Sequence, residues 1–181
     1  MEAYILGVGL TPVKEHWDKS LEDLAFEASI QALEDSGSYD IDAIVVGNMC
    51  CAAFQEQVHL GALLADELGM PGKPAFRVEA ACASGGVAAH VACSLVASGF
   101  YERVLVVGVE KMSNAMTPDV TKGMMMAEDR RFTAQTGITF VGLNALVKRE
   151  YMRKYGAKEE EIALFPVLCH KNAVGVRHAQ Y

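Results

Sequence analysis

Between Glu79 and Glu102 the chain carries no Asp, Glu, Lys or Arg, so residues Ala80 to Tyr101 form one long uncharged run. A run of that length is long enough to cross about 30 Å of hydrocarbon, which needs roughly 20 residues. Ser84, Gly85, Gly86, His90, Ser94, Ser98 and Gly99 make it too polar and too rich in glycine for a simple span. A helix without a charged face is otherwise buried in a large core. The run therefore predicts a buried core helix, entered through a turn of small residues.

The segments before and after this helix alternate. Ala3 to Gly9 reads as an apolar strand. A helix starts at Ser20, with Leu21, Leu24, Ala25, Ala28, Ala32 and Leu33 on its apolar stripe, Glu22 and Asp23 at its positive end, and Gly37 as its stop. Ile41 to Gly47 is a second strand and Val58 to Leu68 a second helix, closed by Gly69, with Pro71 and Pro74 breaking the chain before the third strand. Ala75 to Val78 and Val104 to Val109 are strands on either side of the uncharged helix. Continuous apolar strands alternating with helices predict an α/β fold whose mostly parallel sheet is flanked by helices.

Beyond Glu110 the texture changes. Residues 111–142 mix Met, Thr, Gly and charge without a clean period, then Leu143 to Tyr155 and Lys158 to Val174 read as amphipathic helices. Charge divides at the same place: residues 1–110 carry 5 Lys/Arg against 16 Asp/Glu, and residues 111–181 carry 11 against 7. The organisation read from this is an α/β unit over 1–110 and a mobile or inserted region over 111–181. A formal net charge of -7 argues against a nucleic-acid binder with a general basic surface. The five cysteines, Cys50, Cys51, Cys82, Cys93 and Cys169, form no C-x-x-C pair. That usage, with no signal-like start, points to a reducing compartment, the cytoplasm, with neither a disulfide framework nor a metal site.

Gly7-x-Gly9 after the first strand lacks the third glycine and the immediate helix of a dinucleotide fingerprint, Pro12 standing where that glycine belongs, and reads as a turn. The informative segment is Val78-Glu79-Ala80-Ala81-Cys82-Ala83-Ser84-Gly85-Gly86. It puts a thiol where a parallel strand ends and a helix begins, the sheet edge at which ligands bind. Unsatisfied N–H groups and partial positive charge at the helix start favour a nucleophilic thiolate. Small neighbours leave room for a substrate carbonyl and for backbone N–H groups to reach its oxygen. A buried packing cysteine is the competing reading of Cys82, and the favoured one for Cys93, deep in the same helix; Cys50 and Cys51 read as packing or pocket wall. His90 lies about 12 Å along the helix from Cys82, too far to be its base.

Glu79-Ala80-Ala81-Cys82-Ala83-Ser84-Gly85-Gly86 resembles the nucleophile region of the thiolase superfamily, particularly the archaeal and sterol-carrier-type thiolases. Val107-Gly108-Val109-Glu110-Lys111-Met112 resembles the stretch after their fourth strand. Cys169-His170-Lys171-Asn172-Ala173 with Ala179-Gln180-Tyr181 resembles a segment of their loop domain. The resemblance implies a thiolase-like N-terminal half over 1–110 and part of the loop (lid) domain over 111–181. It implies an acyltransferase in which Cys82 forms an acyl-cysteine intermediate and two acetyl-CoA become acetoacetyl-CoA, or the reverse. Acyl-CoA thioesters are then substrates and no prosthetic group is bound. The N–H of Cys82 would contribute to an oxyanion hole, and Arg130, Arg131, Lys148 and Arg149, with Arg153 and Lys154, are candidates for holding coenzyme A.

In that family the base histidine, a second catalytic cysteine and further oxyanion-hole groups come from a C-terminal half. The chain carries no Gly-His-Pro or Cys-x-Gly segment, and His170 and His178 match loop positions, so neither is assigned as the base. The chain alone is expected to be inactive without that half. The resemblance extends to a homo-oligomer, dimer or tetramer, and to a zinc-ribbon/OB-fold bridging protein and a hydroxymethylglutaryl-CoA synthase as partners; neither nucleic acid nor membrane is among them. Met112, Met116 and Met124-Met125-Met126 offer adaptable apolar surface for such contacts or for an acyl pocket, against an ordinary core role. The alternatives are a related condensing enzyme (ketoacyl synthase, hydroxymethylglutaryl-CoA synthase or thiolase-like aldolase) and a non-catalytic scaffold subunit of a split complex.

Overall fold

The computed structural model describes residues 2–181. Two compact units emerge: residues up to Thr11 with Glu15–Met116, and Pro12–Lys14 with Thr117–Tyr181. The first unit contains α1 (Leu21–Ser36), β1 (Ala43–Gly47), α2 (Cys51–Phe54), α3 (Leu60–Glu67), β2 (Ala75–Val78), α4 (Ser84–Ala97) and β3 (Val104–Gly108). The second contains α5 (Thr117–Met124), the 3-10 turns Met125–Ala127 and Ala134–Thr136, α6 (Phe140–Tyr155) and α7 (Glu159–Ala173).

The three strands form a parallel sheet in the order β2-β1-β3. The central strand Ala43-Ile44-Val45-Val46-Gly47 is buried at every position, as a continuous β-branched run in a sheet covered on both faces should be. Side chains alternate across it. Ile44 and Val46 join Leu105 and Val107 of β3 in a cluster with Leu21 and Leu33 of α1 and Leu60 and Leu64 of α3. Val45 points to the other face, where Ala88 and Ala92 of α4 pack on it.

Local signals set the helix ends. Ser20 Oγ accepts from the Asp23 N–H at 3.0 Å while the Asp23 carboxylate accepts from the Ser20 N–H at 2.7 Å, a capping box that opens α1. Gly37 closes α1 with φ 69°, the left-handed conformation in which glycine costs least. In the second unit Thr139 caps α6 through the Gly142 N–H, and Gly156 ends it at φ 69°.

Residues 3–9 do not form the strand their apolarity suggests. They pair with neither edge of the sheet and lie instead along α1, the Val8 N–H donating to the Asp35 carboxylate at 2.9 Å and the Leu10 N–H to Gln31 Oε1 at 3.3 Å. Gly7 and Gly9 make this possible, because a Cβ there would stand 2.3 Å from the Ala32 carbonyl oxygen and 2.0 Å from that of Ala28. The pair read as a turn is a close-approach site.

The uncharged helix also differs from expectation. α4 buries only Ser84, Ala88 and Ala92, and Gly85, Gly86, Ala89, His90, Cys93, Ser94 and Ala97 are exposed. Its residue types report the absence of charge, which is compatible with burial, but the sheet covers one face only. Cys93, expected inside, is exposed for the same reason. Among the described residues no helix is long and apolar enough to cross a membrane. In the second unit α6 and α7 bury no residue, and the Lys148–Glu159 ion pair links them.

Candidate active site

All three strands are parallel, so their C-terminal ends share one edge, and the loops leaving that edge carry the candidate chemistry. Gly47 and Gly108 end β1 and β3 side by side in register. A Cβ on Gly47 would stand 2.5 Å from the Ser84 carbonyl oxygen and 2.9 Å from Gly85 Cα; one on Gly108 would lie 3.8 Å from Gly85 Cα. Two bare glycines thus form the seat on which the first turn of α4 rests.

Cys82 sits between β2 and that turn and is exposed. The preceding residue, Ala81, has φ 49°, in the left-handed region where a Cβ costs roughly 1–2 kcal/mol. Hydrogen bonds hold the turn against that cost. The Ala83 N–H donates to the Ala80 carbonyl at 3.0 Å and the Ser84 N–H to the Ala81 carbonyl at 3.1 Å. Ser84 Oγ accepts from the Ala80 N–H at 2.9 Å and donates to the Ala81 carbonyl at 2.7 Å. The Glu79 carboxylate accepts from the Ala81 N–H. The Cys82 N–H takes no part in these bonds. Ala83 caps α4 without a side-chain bond, and the N–H groups of the exposed Gly85 and Gly86 belong to the first turn of α4, which begins two residues after Cys82.

The loop after β1 is tied to the same edge. Asn48, buried, donates from Nδ2 to the Val109 carbonyl at 2.8 Å and accepts at Oδ1 from the Cys51 N–H at 2.9 Å. Arg77 Nη1 donates to the Asn48 carbonyl at 3.0 Å. One oxygen of Glu110 accepts from the Met49 and Cys50 N–H groups, the latter at 3.0 Å. Lys111 is only 4% exposed, its ammonium donating to Ser113 Oγ at 2.9 Å and Asn114 Oδ1 at 2.6 Å.

Cys50 is 4% exposed, and burial, followed by the negative charge of Glu110 and the neighbouring Cys51, Cys82 and Glu79, pushes its thiol up to about 11. Burial also raises the Cys51 thiol. Both are buried, and burial disfavours the thiolate at each. Cys82, Cys50, Glu79 and Glu110 meet at one edge. Sequence reasoning passed over Ser84, Asn48, Arg77 and Glu110 as organisers; the available signal was the position of Asn48 and Glu110 just beyond the ends of apolar strands.

The basic candidates lie in the second unit. Lys148 is paired with Glu159, and Arg153 with Glu150. Arg131 lies 5.7 Å from the Phe132 ring centroid and Lys154 5.1 Å from that of Tyr155. The His170 ring stacks on Tyr181 at 6.0 Å.

Comparison with known proteins bears on the whole chain. The family described as thiolase, N-terminal domain, matches residues 3–181. The acetyl-CoA acetyltransferase of Methanothermobacter thermautotrophicus is 41% identical over 179 residues, which are 98% of this chain and 46% of that protein. That of Methanocaldococcus jannaschii is 41% identical over 98% of this chain and 45% of its own length. The chain thus spans about half the length of the curated relatives it matches. A 3-oxoacyl-[acyl-carrier-protein] synthase III from Aquifex aeolicus shares the fold, with a TM-score of 0.56 at 22% identity over 71% of this chain and 48% of that one. The family match over residues 3–181, with two archaeal relatives 41% identical across 98% of the chain, places the chain in the thiolase N-terminal domain family.

Proposed function

We propose that Cys82 is the nucleophile of a coenzyme A-dependent acyl transfer. Its thiolate attacks the carbonyl of acetyl-CoA, the acetyl group passes to Sγ, and coenzyme A leaves as its thiolate. A second acetyl-CoA, deprotonated at its α carbon, then attacks the acetyl-cysteine, giving acetoacetyl-CoA and returning the Cys82 thiolate. Covalent capture divides one difficult condensation into two easier steps. The observation that carries this reading is the position of Cys82, exposed between a left-handed residue and the uncapped first turn of α4. The names of the two archaeal relatives support it.

The base, the second cysteine and the remaining oxyanion donors belong in this reading to a C-terminal half, and this chain alone does not turn over. Coenzyme A phosphates are held by a subset of Arg130, Arg131, Lys148 and Arg149, in keeping with the excess of Lys/Arg after residue 110. The reading also includes a cytoplasmic homo-oligomer, with the zinc-ribbon/OB-fold protein and hydroxymethylglutaryl-CoA synthase as associates.

Peptide mass mapping after exposure of the full-length protein to acetyl-CoA tests the nucleophile. An acetyl adduct on Cys82, absent from Cys82→Ala, is the expected result. An adduct unaffected by Cys82→Ala, or none under turnover conditions, overturns it, and the latter outcome favours the scaffold reading.

A further inference from the structure

The hydroxyl of Ser84 is placed unlike any other group around the thiol. Ser84 is 4% exposed, seated against Gly47 at the end of β1, and its Oγ holds both the Ala80 N–H and the Ala81 carbonyl. The Ala81 carbonyl is held a second time by the Ser84 N–H. That carbonyl and the Cys82 N–H belong to one peptide plane, and no peptide bond among the described residues is cis. In a trans peptide the N–H points opposite to the C=O. Two donors from Ser84 pull the Ala81 oxygen toward the helix start, so the Cys82 N–H is directed the other way. Sγ leaves from the Cα that carries the same N–H.

We infer that Ser84 is the positioning residue of this site: through the Ala81–Cys82 peptide plane it aims the Cys82 N–H, and with it the oxyanion donor, at a carbonyl brought to Sγ. The inference rests on the reading of Cys82 as the acyl acceptor where it concerns chemistry, and on geometry alone where it concerns the N–H. The left-handed Ala81 is a conformation that persists only where its surroundings over-determine it, and Ser84 supplies two of the bonds that do so.

Two reactions of the same sulfur separate aiming from mere integrity. Alkylation by iodoacetamide needs the thiolate but no oxyanion donor, whereas acylation by acetyl-CoA needs both. In the full-length protein, Ser84→Ala is expected to slow acylation of Cys82 by about 10- to 100-fold while alkylation changes less than about threefold. Ser84→Thr, which keeps the hydroxyl, is expected to restore acylation. Equal effects on both reactions, or on neither, overturn the inference. The Cys82 amide cross-peak in a 15N-labelled protein provides a readout independent of acyl transfer. It is expected to shift in Ser84→Ala and stay near its wild-type position in Ser84→Thr, and an unmoved peak in Ser84→Ala sinks the inference. Wild-type protein that is never acetylated at Cys82, with the peak still shifted in Ser84→Ala and not in Ser84→Thr, refutes the proposed function and leaves the geometric role of Ser84 standing.

Discussion

At the residue scale, the contrast between Cys50 and Cys82 is one of access and charge. Cys50 is enclosed and faces the negative charge of Glu110, so its thiol is pushed up to about 11 from an ordinary 9.0. Cys82, Cys93 and Cys169 are exposed. Alkylation mapped by peptide mass at pH 9 should therefore label those three and leave Cys50 unmodified; comparable labelling of Cys50 contradicts its burial. The linkage has a definite sign. Between pH 9 and 11 the unfolded chain loses the Cys50 proton while the folded chain keeps it, so the contribution of Cys50 is fully present below pH 9 and is lost as pH rises toward 11. Urea midpoints should fall across that window, and less steeply in Cys50→Ala.

At the element scale, two glycines at strand ends set how closely α4 approaches the sheet. Gly47→Ala forces a Cβ to within 2.5 Å of the Ser84 carbonyl, backbone that has no flexible end to yield. The expected cost is about 1–3 kcal/mol of overpacking, read as a lowered thermal midpoint, with acylation of Cys82 reduced because the first turn of α4 is displaced. An unchanged midpoint contradicts the close seat. The β1 run was legible because Ile44, Val45 and Val46 are apolar without interruption, which suits a strand covered on both faces. Residues 3–9 were misread because the same apolarity suits a strand or an extended segment laid on a helix; the deciding partners, Gln31 and Asp35, lie more than 20 residues away. The position of Cys82 was legible from small residues at a strand–helix junction. Ser84 was not, since its role depends on Gly47 and on a left-handed Ala81, neither of which residue type announces.

At the scale of the whole molecule, burial is concentrated in the first unit. β1 is buried at all five positions, whereas α6 and α7 bury none and expose Val141, Val147, Leu164, Phe165 and Val167. Elements with few buried contacts open at lower free energy than core strands. Amide hydrogen exchange should accordingly show the slowest exchange in β1 and much faster exchange in α6 and α7; equal protection would contradict this division. The sheet itself contains no hairpin. Ile44 pairs with Ala75 on one side and Leu105 on the other, partners about 30 and 60 residues downstream. During synthesis β1 therefore emerges before either neighbour does. At roughly 5–20 residues per second, β3 emerges about 3–12 seconds later. Until β2 follows, about 30 residues on, the most buried strand of the chain has two open edges, and until β3 follows it has one, so the yield of soluble protein depends on what shields β1 at the ribosome as well as on the stability finally reached.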